Sequence, residues 1–331
     1  MLDYLFERLP LMAEPVFALI IPSSRFFLLY LLSAMMIGFA VLYFRQPKEE
    51  RSISKAVHAL FPEEVLLHPS ARLDYVFAFV NMIVRIFLLS LIFLSTAATT
   101  GLAADAMTLL FGANTAPTEP GLIAIALFTI IAFLATDFGL FFAHWLEHKV
   151  PFFWEFHKVH HSAEVLTPIT VQRMHPVDVL VNNIVPAIVL GVCNGVFYYL
   201  YAGPVAAFSI LGLNALYFLM LMIGYHLRHS HVWVMYPKPF REHISSPALH
   251  HIHHSNDPRH YDKNFARTFT IWDRIAGTLY IPEEEEKLVF GLDEPEQDKL
   301  QTVSGLYFSP FKSVWRKYFS PSRAGHLEPG E

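Results

Sequence analysis

The sequence predicts an all-α integral membrane protein with about four to five transmembrane helices, closed on one side by a histidine-rich helical cap. Three observations predict this. The chain of 331 residues is 54% hydrophobic and 16% charged, where a soluble domain carries about 25% charged residues. Long uncharged runs recur along it, and its mean hydropathy is +0.38. Of its 18 histidines, 15 fall between His144 and His260. Composition also excludes functions. A single cysteine, Cys193, rules out a disulfide framework and a cysteine-ligated zinc or iron–sulfur centre. A net charge of −5 without a basic block argues against nucleic acid as a partner.

Residues 1–22 are apolar but interrupted by Glu7, Arg8, Pro10, Glu14 and Pro15. They read as an interfacial or partly embedded helix, not a signal peptide. The run 26–44 holds no charge between Arg25 and Arg45. At about 1.5 Å per residue it crosses roughly 30 Å of hydrocarbon and forms the first span. The loop after it carries Arg45, Lys48, Arg51 and Lys55, which favours the cytoplasmic side. The second span is 75–98, within which Arg85 should face the bundle or a polar cavity. The turn-rich GANTAPTEPG that follows has no Lys or Arg and belongs to the opposite side. The third span, 122–143, delivers His144 and His148, and a polar connection covers 149–177. Spans four and five are 179–201 and 205–225, separated by Gly203 and Pro204. They are two full spans, or a re-entrant pair if Asn182, Asn183, Pro186 and Asn194 shorten the apolar stretch. The acidic run 283–286 reads as solvated surface. Five spans bring both histidine clusters to the cytoplasmic side together.

His144 and His148, at i and i+4, share one helix face. His157, His160 and His161 form HxxHH, and His250, His253 and His254 repeat that spacing. His226 and His229 stand one helical step apart just upstream of the second set. A lone histidine at a membrane interface is usually there for its apolar body and polar tip. Two HxxHH patterns and an HxxxH on one side call for a metal. Structural zinc needs four ligands, whereas eight to ten imidazoles suffice for two metals with about five nitrogens each. Neutral imidazole suits Zn, Cu, Fe and Ni. A nitrogen-rich dimetal centre at a lipid boundary points to iron and O₂, and composition leaves zinc open.

The order HxxxH, HxxHH, HxxHH, interleaved with spans, resembles the fatty acid hydroxylase/sterol desaturase superfamily of membrane di-iron enzymes. The segment SPALHHIHHSNDPRHYDKNFARTFTIWDRIAGTLY and the RMHP at 173–176 resemble its bacterial sterol C5-desaturase-like members. The resemblance covers about 125–282, and the first 120 residues carry no matching motif. It implies two iron ions, replaceable by zinc in purified material, and O₂ as co-substrate. It further implies hydroxylation or desaturation of an unactivated C–H bond of a lipid, such as a sterol or fatty acid, held in an apolar pocket between the spans. The implied ligands are His144, His148, His157, His160, His161, His229, His250, His253 and His254. His226 is the tenth, with His231 as its rival. Asp137, seven residues before His144, is expected to hydrogen-bond a ligand imidazole and fix its tautomer. Glu147 is placed for that role or for the surface. His175, beside Arg173, is expected near the centre in a structural or headgroup role. His243, His251 and His260 belong beside the ligands or at the surface, and Asp262, Asn264, Trp272 and Asp273 should hold the cap by hydrogen bonds. No dinucleotide fingerprint or haem domain is visible, so electrons come by elimination from a separate ferredoxin or cytochrome b5-like donor and its reductase. The organisation implied is an N-terminal membrane region 1–120, a catalytic domain 121–282 and a polar tail 283–331. The protein is expected to be multi-pass in a bacterial inner membrane, with its active site on the cytoplasmic face. The rivals are a metal transporter and a bis-histidine haem protein. Transporters place ionisable ligands near the bilayer midplane, and the haem protein needs paired single histidines within spans.

Overall fold

The computed structural model describes residues 18–114, 119–293 and 295–320, with the backbone alone for 85–95. The expectations for residues 1–17 and for the Arg85 side chain lie outside the described residues. Eleven α-helices run in order among the described residues: α1 Leu28–Arg45, α2 Ile53–Leu60, α3 Glu63–Leu66, α4 Pro69–Phe111, α5 Leu122–Lys149, α6 Pro151–His161, α7 Pro176–Tyr201, α8 Ala215–Met222, α9 Pro247–His254, α10 Ile271–Ala276 and α11 Val303–Tyr318. The chain is mostly helical, and α1, α5 and α7 are each long and apolar enough to cross a membrane.

Local chemistry sets the helix ends. Proline opens the first turn of α4, α6, α7 and α9, where its missing N–H removes no bond. Gly112, at φ +81°, ends α4. With 43 residues, α4 far exceeds the predicted span 75–98 and is about 65 Å long. It packs along α7 because two glycines of α7 let the backbones meet. A Cβ on Gly195 would lie 2.5 Å from both the Ala103 Cβ and the Thr100 carbonyl oxygen, and one on Gly191 would lie 2.7 Å from the Thr99 Cβ. Small residues at this spacing permit close helix approach in membranes, where no hydrophobic force pulls helices together. On its other side α7 meets α5, where a Cβ on Gly139 would be 2.6 Å from the Pro186 Cα.

The predicted fifth span, 205–225, is not a continuous helix. The chain makes a two-stranded hairpin, Ser209–Ile210 with Leu213–Asn214, then the short α8. Leu211 and Gly212 take φ of 52° and 83°, the left-handed pair that a two-residue hairpin turn requires. The Asn214 side chain accepts from Leu216 N at 3.0 Å and so starts α8. Partners for this irregular backbone come from α5: Phe208 N donates to Thr129 Oγ1 at 2.8 Å, and Asn214 Nδ2 to the Thr129 carbonyl at 2.8 Å. Apolar length without a polar break looked like a span, but the turn chemistry of ILGLN won.

The C-terminal part is more than a solvated tail. Leu300 and Leu306 are buried against Phe77 and Val159, and Tyr307 OH donates to Asn81 Oδ1 of α4 at 2.5 Å. Of the acidic run, Glu283, Glu284 and Glu285 are exposed as expected, whereas Glu286 is half-buried and accepts from Tyr280 OH at 2.8 Å. Arg173 is fully buried and binds Asp74 Oδ1 at 2.9 Å, Ser162 Oγ at 2.9 Å and the Leu300 carbonyl at 3.1 Å. It therefore joins α4, the end of α6 and the C-terminal segment.

Candidate metal centre

Four segments converge at one end of the long helices. The last turns of α5 bring His144 and His148. α6 brings His157, His160 and His161, the 3₁₀ turn Tyr225–His229 brings His229, and α9 brings His250, His253 and His254. Their nitrogens form two groups. His144, His148, His157, His161 and His253 make one, and His160, His229, His250 and His254 the other, with the donor atoms of each group within 4.8 Å of one another. The HxxHH motifs divide reciprocally. The i, i+4 pair of α6 joins the first group and its middle residue, His160, the second; in α9 the i, i+4 pair joins the second group and His253 the first. Consecutive helix residues diverge by about 100°, so each HH pair points into both groups.

The geometry fits metal ligation. In the second group the Nε2 atoms of His229, His250 and His254 form a ring with sides of 3.0–3.2 Å, and His160 Nε2 lies 3.1 Å from that of His229. Metal–nitrogen bonds of about 2.0–2.1 Å at octahedral to tetrahedral angles separate neighbouring nitrogens by about 2.8–3.4 Å. In the first group the Nε2 atoms of His148, His157, His161 and His253 are buried with no hydrogen-bond partner. Orphaned acceptors of this kind are costly unless something fills the space between them. Outer nitrogens of the first group are held, whereas His160 Nδ1 and His254 Nδ1 of the second are buried without a partner. His144 Nδ1 donates to the Phe265 carbonyl at 2.9 Å and His253 Nδ1 to the Lys263 carbonyl at 2.8 Å. His157 Nδ1 donates to Asp178 Oδ1 at 3.0 Å, and His148 Nδ1 lies 3.5 Å from Asp262 Oδ1. A donor at Nδ1 leaves the Nε2 lone pair facing inward, as ligation demands.

Burial keeps six of the rings outside α5 neutral. It lowers His160 to about 3, with His157 adding to the effect, and His253 to about 3 against its backbone hydrogen bond. Burial first, then neighbouring histidines, holds His161, His229, His250 and His254 well below the usual imidazole value. The neutral form is the one that binds metal.

Nine of the ten proposed ligands thus come together, and His226 does not. It is buried against Phe26, ring centroids 5.9 Å apart. The 3₁₀ rise of about 2 Å per residue carries it roughly 6 Å along from His229. His231 donates to the Ala59 carbonyl at 2.7 Å and is also apart. Asp137 does not reach a ligand imidazole. Its Oδ2 accepts from Trp272 Nε1 at 2.8 Å and Phe269 N at 3.1 Å, fastening the loop before α10 to α5. His175 faces away from the centre: it caps α7 through Val177 N at 3.1 Å and donates to the Tyr307 carbonyl at 3.1 Å. Glu147 is buried, with Oε2 3.4 Å from His157 Nδ1, and it accepts from Asn182 Nδ2 at 2.6 Å. His251 donates to the Leu227 carbonyl at 3.0 Å, His260 is buried, and His243 is exposed. Asn264 bridges Leu249 and Tyr280, and Asp273 accepts from Phe265 N and Ala266 N at 2.8 Å, so both hold the cap as expected.

Asp178 is the residue sequence reasoning missed. Its only signal was a carboxylate in the first turn of an apolar helix, four residues before Asn182. A cleft of about 920 Å³ reaches His148, His161, His253 and His254, with Lys158, Glu296 and Arg316 on its walls. It opens on the cap and is not the apolar pocket expected between the spans.

These features define a class: a helical, membrane-type protein with nine imidazoles gathered into two metal-competent groups. Comparison with known proteins sharpens it. Residues 129–278 match the fatty acid hydroxylase family, and this region belongs to the fatty acid hydroxylase/sterol desaturase superfamily. The human alkylglycerol monooxygenase is 28% identical over 193 residues, which cover 57% of this chain and 38% of that protein. The ornithine lipid hydroxylase OlsE of Rhizobium tropici is 31% identical over 166 residues, 49% of this chain and 45% of its own. A Delta(7)-sterol 5(6)-desaturase of Gibberella zeae is 27% identical over 152 residues, 46% and 37% of the two chains. The aligned segments thus span less than half of each relative. No solved structure matches.

Proposed function

We propose that the protein is a membrane-bound, O₂-dependent oxidoreductase that hydroxylates or desaturates a lipid, with iron in both histidine groups and 121–282 as its catalytic region. The observation that carries this is the paired nitrogen geometry, four inward Nε2 atoms in one group and a ring of Nε2 atoms 3.0–3.2 Å apart in the other. Iron held there would supply the redox chemistry that lets O₂ oxidise an unactivated C–H bond. The chain's own groups do the rest. Phe265, Lys263 and Asp178 fix the tautomers of His144, His253 and His157, and burial keeps His160, His161, His229, His250, His253 and His254 uncharged. The names of the relatives, an alkylglycerol monooxygenase, an ornithine lipid hydroxylase and a sterol desaturase, support a lipid substrate.

The cap faces the cytoplasm in this reading, because α1 ends beside it. Arg45 Nη2 donates to the Trp233 carbonyl at 2.7 Å, and the basic loop after α1 favours that side. The cleft of about 920 Å³ then offers a ferredoxin or cytochrome b5-like donor a short approach to His148 and His161. A metal transporter is disfavoured, since the histidines cluster at helix ends. The test is metal analysis of purified protein combined with lipid mass spectrometry of cells with and without it. Two irons per chain and a lipid gaining one oxygen or losing two hydrogens are expected. Zinc alone with no lipid change, or a haem spectrum, refutes the reading.

A further inference from the structure

Three guanidinium groups gather against the histidine centre. Arg25, Arg228 and Arg267 line, with Tyr225, a cavity of about 50 Å³ whose wall also includes His144, His157, His160, His229 and His250. None of these five histidines borders the large cleft. Arg228 is buried, and Arg25 and Arg267 are half-buried. The guanidinium carbons of Arg228 and Arg267 lie 5.6 and 5.9 Å from the Tyr225 ring centroid. Arg228 Nη2 donates to the Ser245 carbonyl at 2.9 Å and to the Arg267 carbonyl. Among the described residues none of the three arginines forms an ion pair; Asp137 acts on Arg228 and Arg267, and Glu147 on Arg267, only from beyond pairing distance, whereas the fully buried Arg173 pairs with Asp74 at 2.9 Å.

Enclosed cations normally have a counter-charge, because desolvating a lone charge is costly. Three in one small cavity also repel one another. Their field is visible on Tyr225: burial pushes its phenol up, and Arg267, Arg25 and Arg228 outweigh burial to bring it down to about 8. One enclosed water takes about 10–15 Å³ by the same measure. The cavity therefore has room for about three to five water-sized groups, which suits the oxygens of one anionic group and not an acyl chain.

We propose that this cavity seats the anionic head of the lipid substrate, a phosphate or a carboxylate, on Arg25, Arg228 and Arg267. The proposal rests on the oxidoreductase reading and adds to it the class of lipid and the region attacked. With the head against five of the histidines, the C–H bonds within reach lie close to the polar end.

The test uses full-length, metal-loaded protein in an uncharged detergent and measures binding of hexadecyl phosphate, hexadecanoate, hexadecanol and inorganic phosphate by calorimetry. At least one anionic amphiphile should bind tenfold or more tightly than hexadecanol, and the stronger of the two identifies the head as phosphate or carboxylate. Arg25→Gln and, separately, Arg267→Gln should each erase that preference while leaving hexadecanol binding unchanged. Arg25→Lys should retain most of it. Thermal unfolding and metal content establish that each variant is folded. Equal binding of hexadecanol overturns the proposal, as does a preference that survives both glutamine variants. Inorganic phosphate binding as tightly as hexadecyl phosphate also overturns it, since the site would then serve a free anion. The assay needs no turnover. Anion preference without oxidation of any lipid refutes the oxidoreductase reading alone, and oxidation without anion preference refutes the arginine seat alone.

Discussion

Asp178→Asn isolates the support of one ligand from the ligand itself. The carboxylate accepts from His157 Nδ1 at 3.0 Å and from Asn182 Nδ2 at 3.1 Å, while its Oδ2 is buried without a partner. Asparagine is the same size but carries a donor on one side. If its oxygen faces His157, its NH₂ faces the neighbouring Glu147 carboxylate, and the neutral amide oxygen holds the His157 N–H more weakly than a carboxylate does. If its NH₂ faces His157, two donors meet and the ring must turn or change tautomer, which aims Nε2 away from the first group. Removing an outer partner of this type typically lowers metal affinity 10- to 100-fold, or about 1.4–2.7 kcal/mol. Glu147, farther from His157 at 3.4 Å and also held by Asn182, should give a smaller loss as Glu147→Gln. The assay is iron per chain after equilibration with a graded chelator, beside thermal unfolding of the metal-free protein. Wild-type iron affinity in a folded Asp178→Asn protein would refute the role assigned to Asp178.

Further perturbations test separate parts of the structure. His226→Ala should leave two irons per chain, because the ring lies outside both groups; loss of an equivalent would restore it as a ligand. Trp272→Phe removes a 2.8 Å bond to the Asp137 carboxylate and should cost about 1.5–3 kcal/mol of stability with iron content unchanged, and metal loss would return Asp137 to the centre. Gly195→Ala should destabilise the protein by about 1–3 kcal/mol through overpacking against α4, and an unchanged unfolding temperature would contradict the close contact. Acid should destabilise the metal-free protein. Burial holds His160 and His253 down to about 3, and His175 and His251 to about 4. The unfolded chain, titrating near 6.5, therefore binds more protons throughout that window. Stability should be level above about pH 6.5 and fall as pH drops toward 3, and a midpoint that rises on acidification is the contrary result.

What the sequence disclosed followed from periodicity. Helical spacing at 144/148, 157/160/161 and 250/253/254 was enough to predict that these imidazoles share faces, and uncharged length was enough to find α1, α5 and α7. Three things were not legible. The division of each HxxHH between two groups depends on how α6 and α9 cross, which no local pattern encodes. Asp178 looked like a first-turn carboxylate, since its importance comes from a ring 21 positions earlier in the chain. Asp137 was expected to hold a ligand imidazole and instead holds the indole of Trp272, because facing direction alone does not tell one ring N–H from another. The return from α7 was misread because hydropathy weighs Leu211 and Gly212 by their transfer energy and ignores their φ.

The reciprocal assignment of the two HH pairs has a mechanical consequence. α6 and α9 each work as a two-pronged connector, with adjacent prongs seated in different sockets. A few degrees of rolling in either helix would misalign both sockets together, so neither can be assembled or emptied without disturbing the other. Iron uptake by such a protein should be sigmoidal, with singly loaded chains scarce at every stage of the titration.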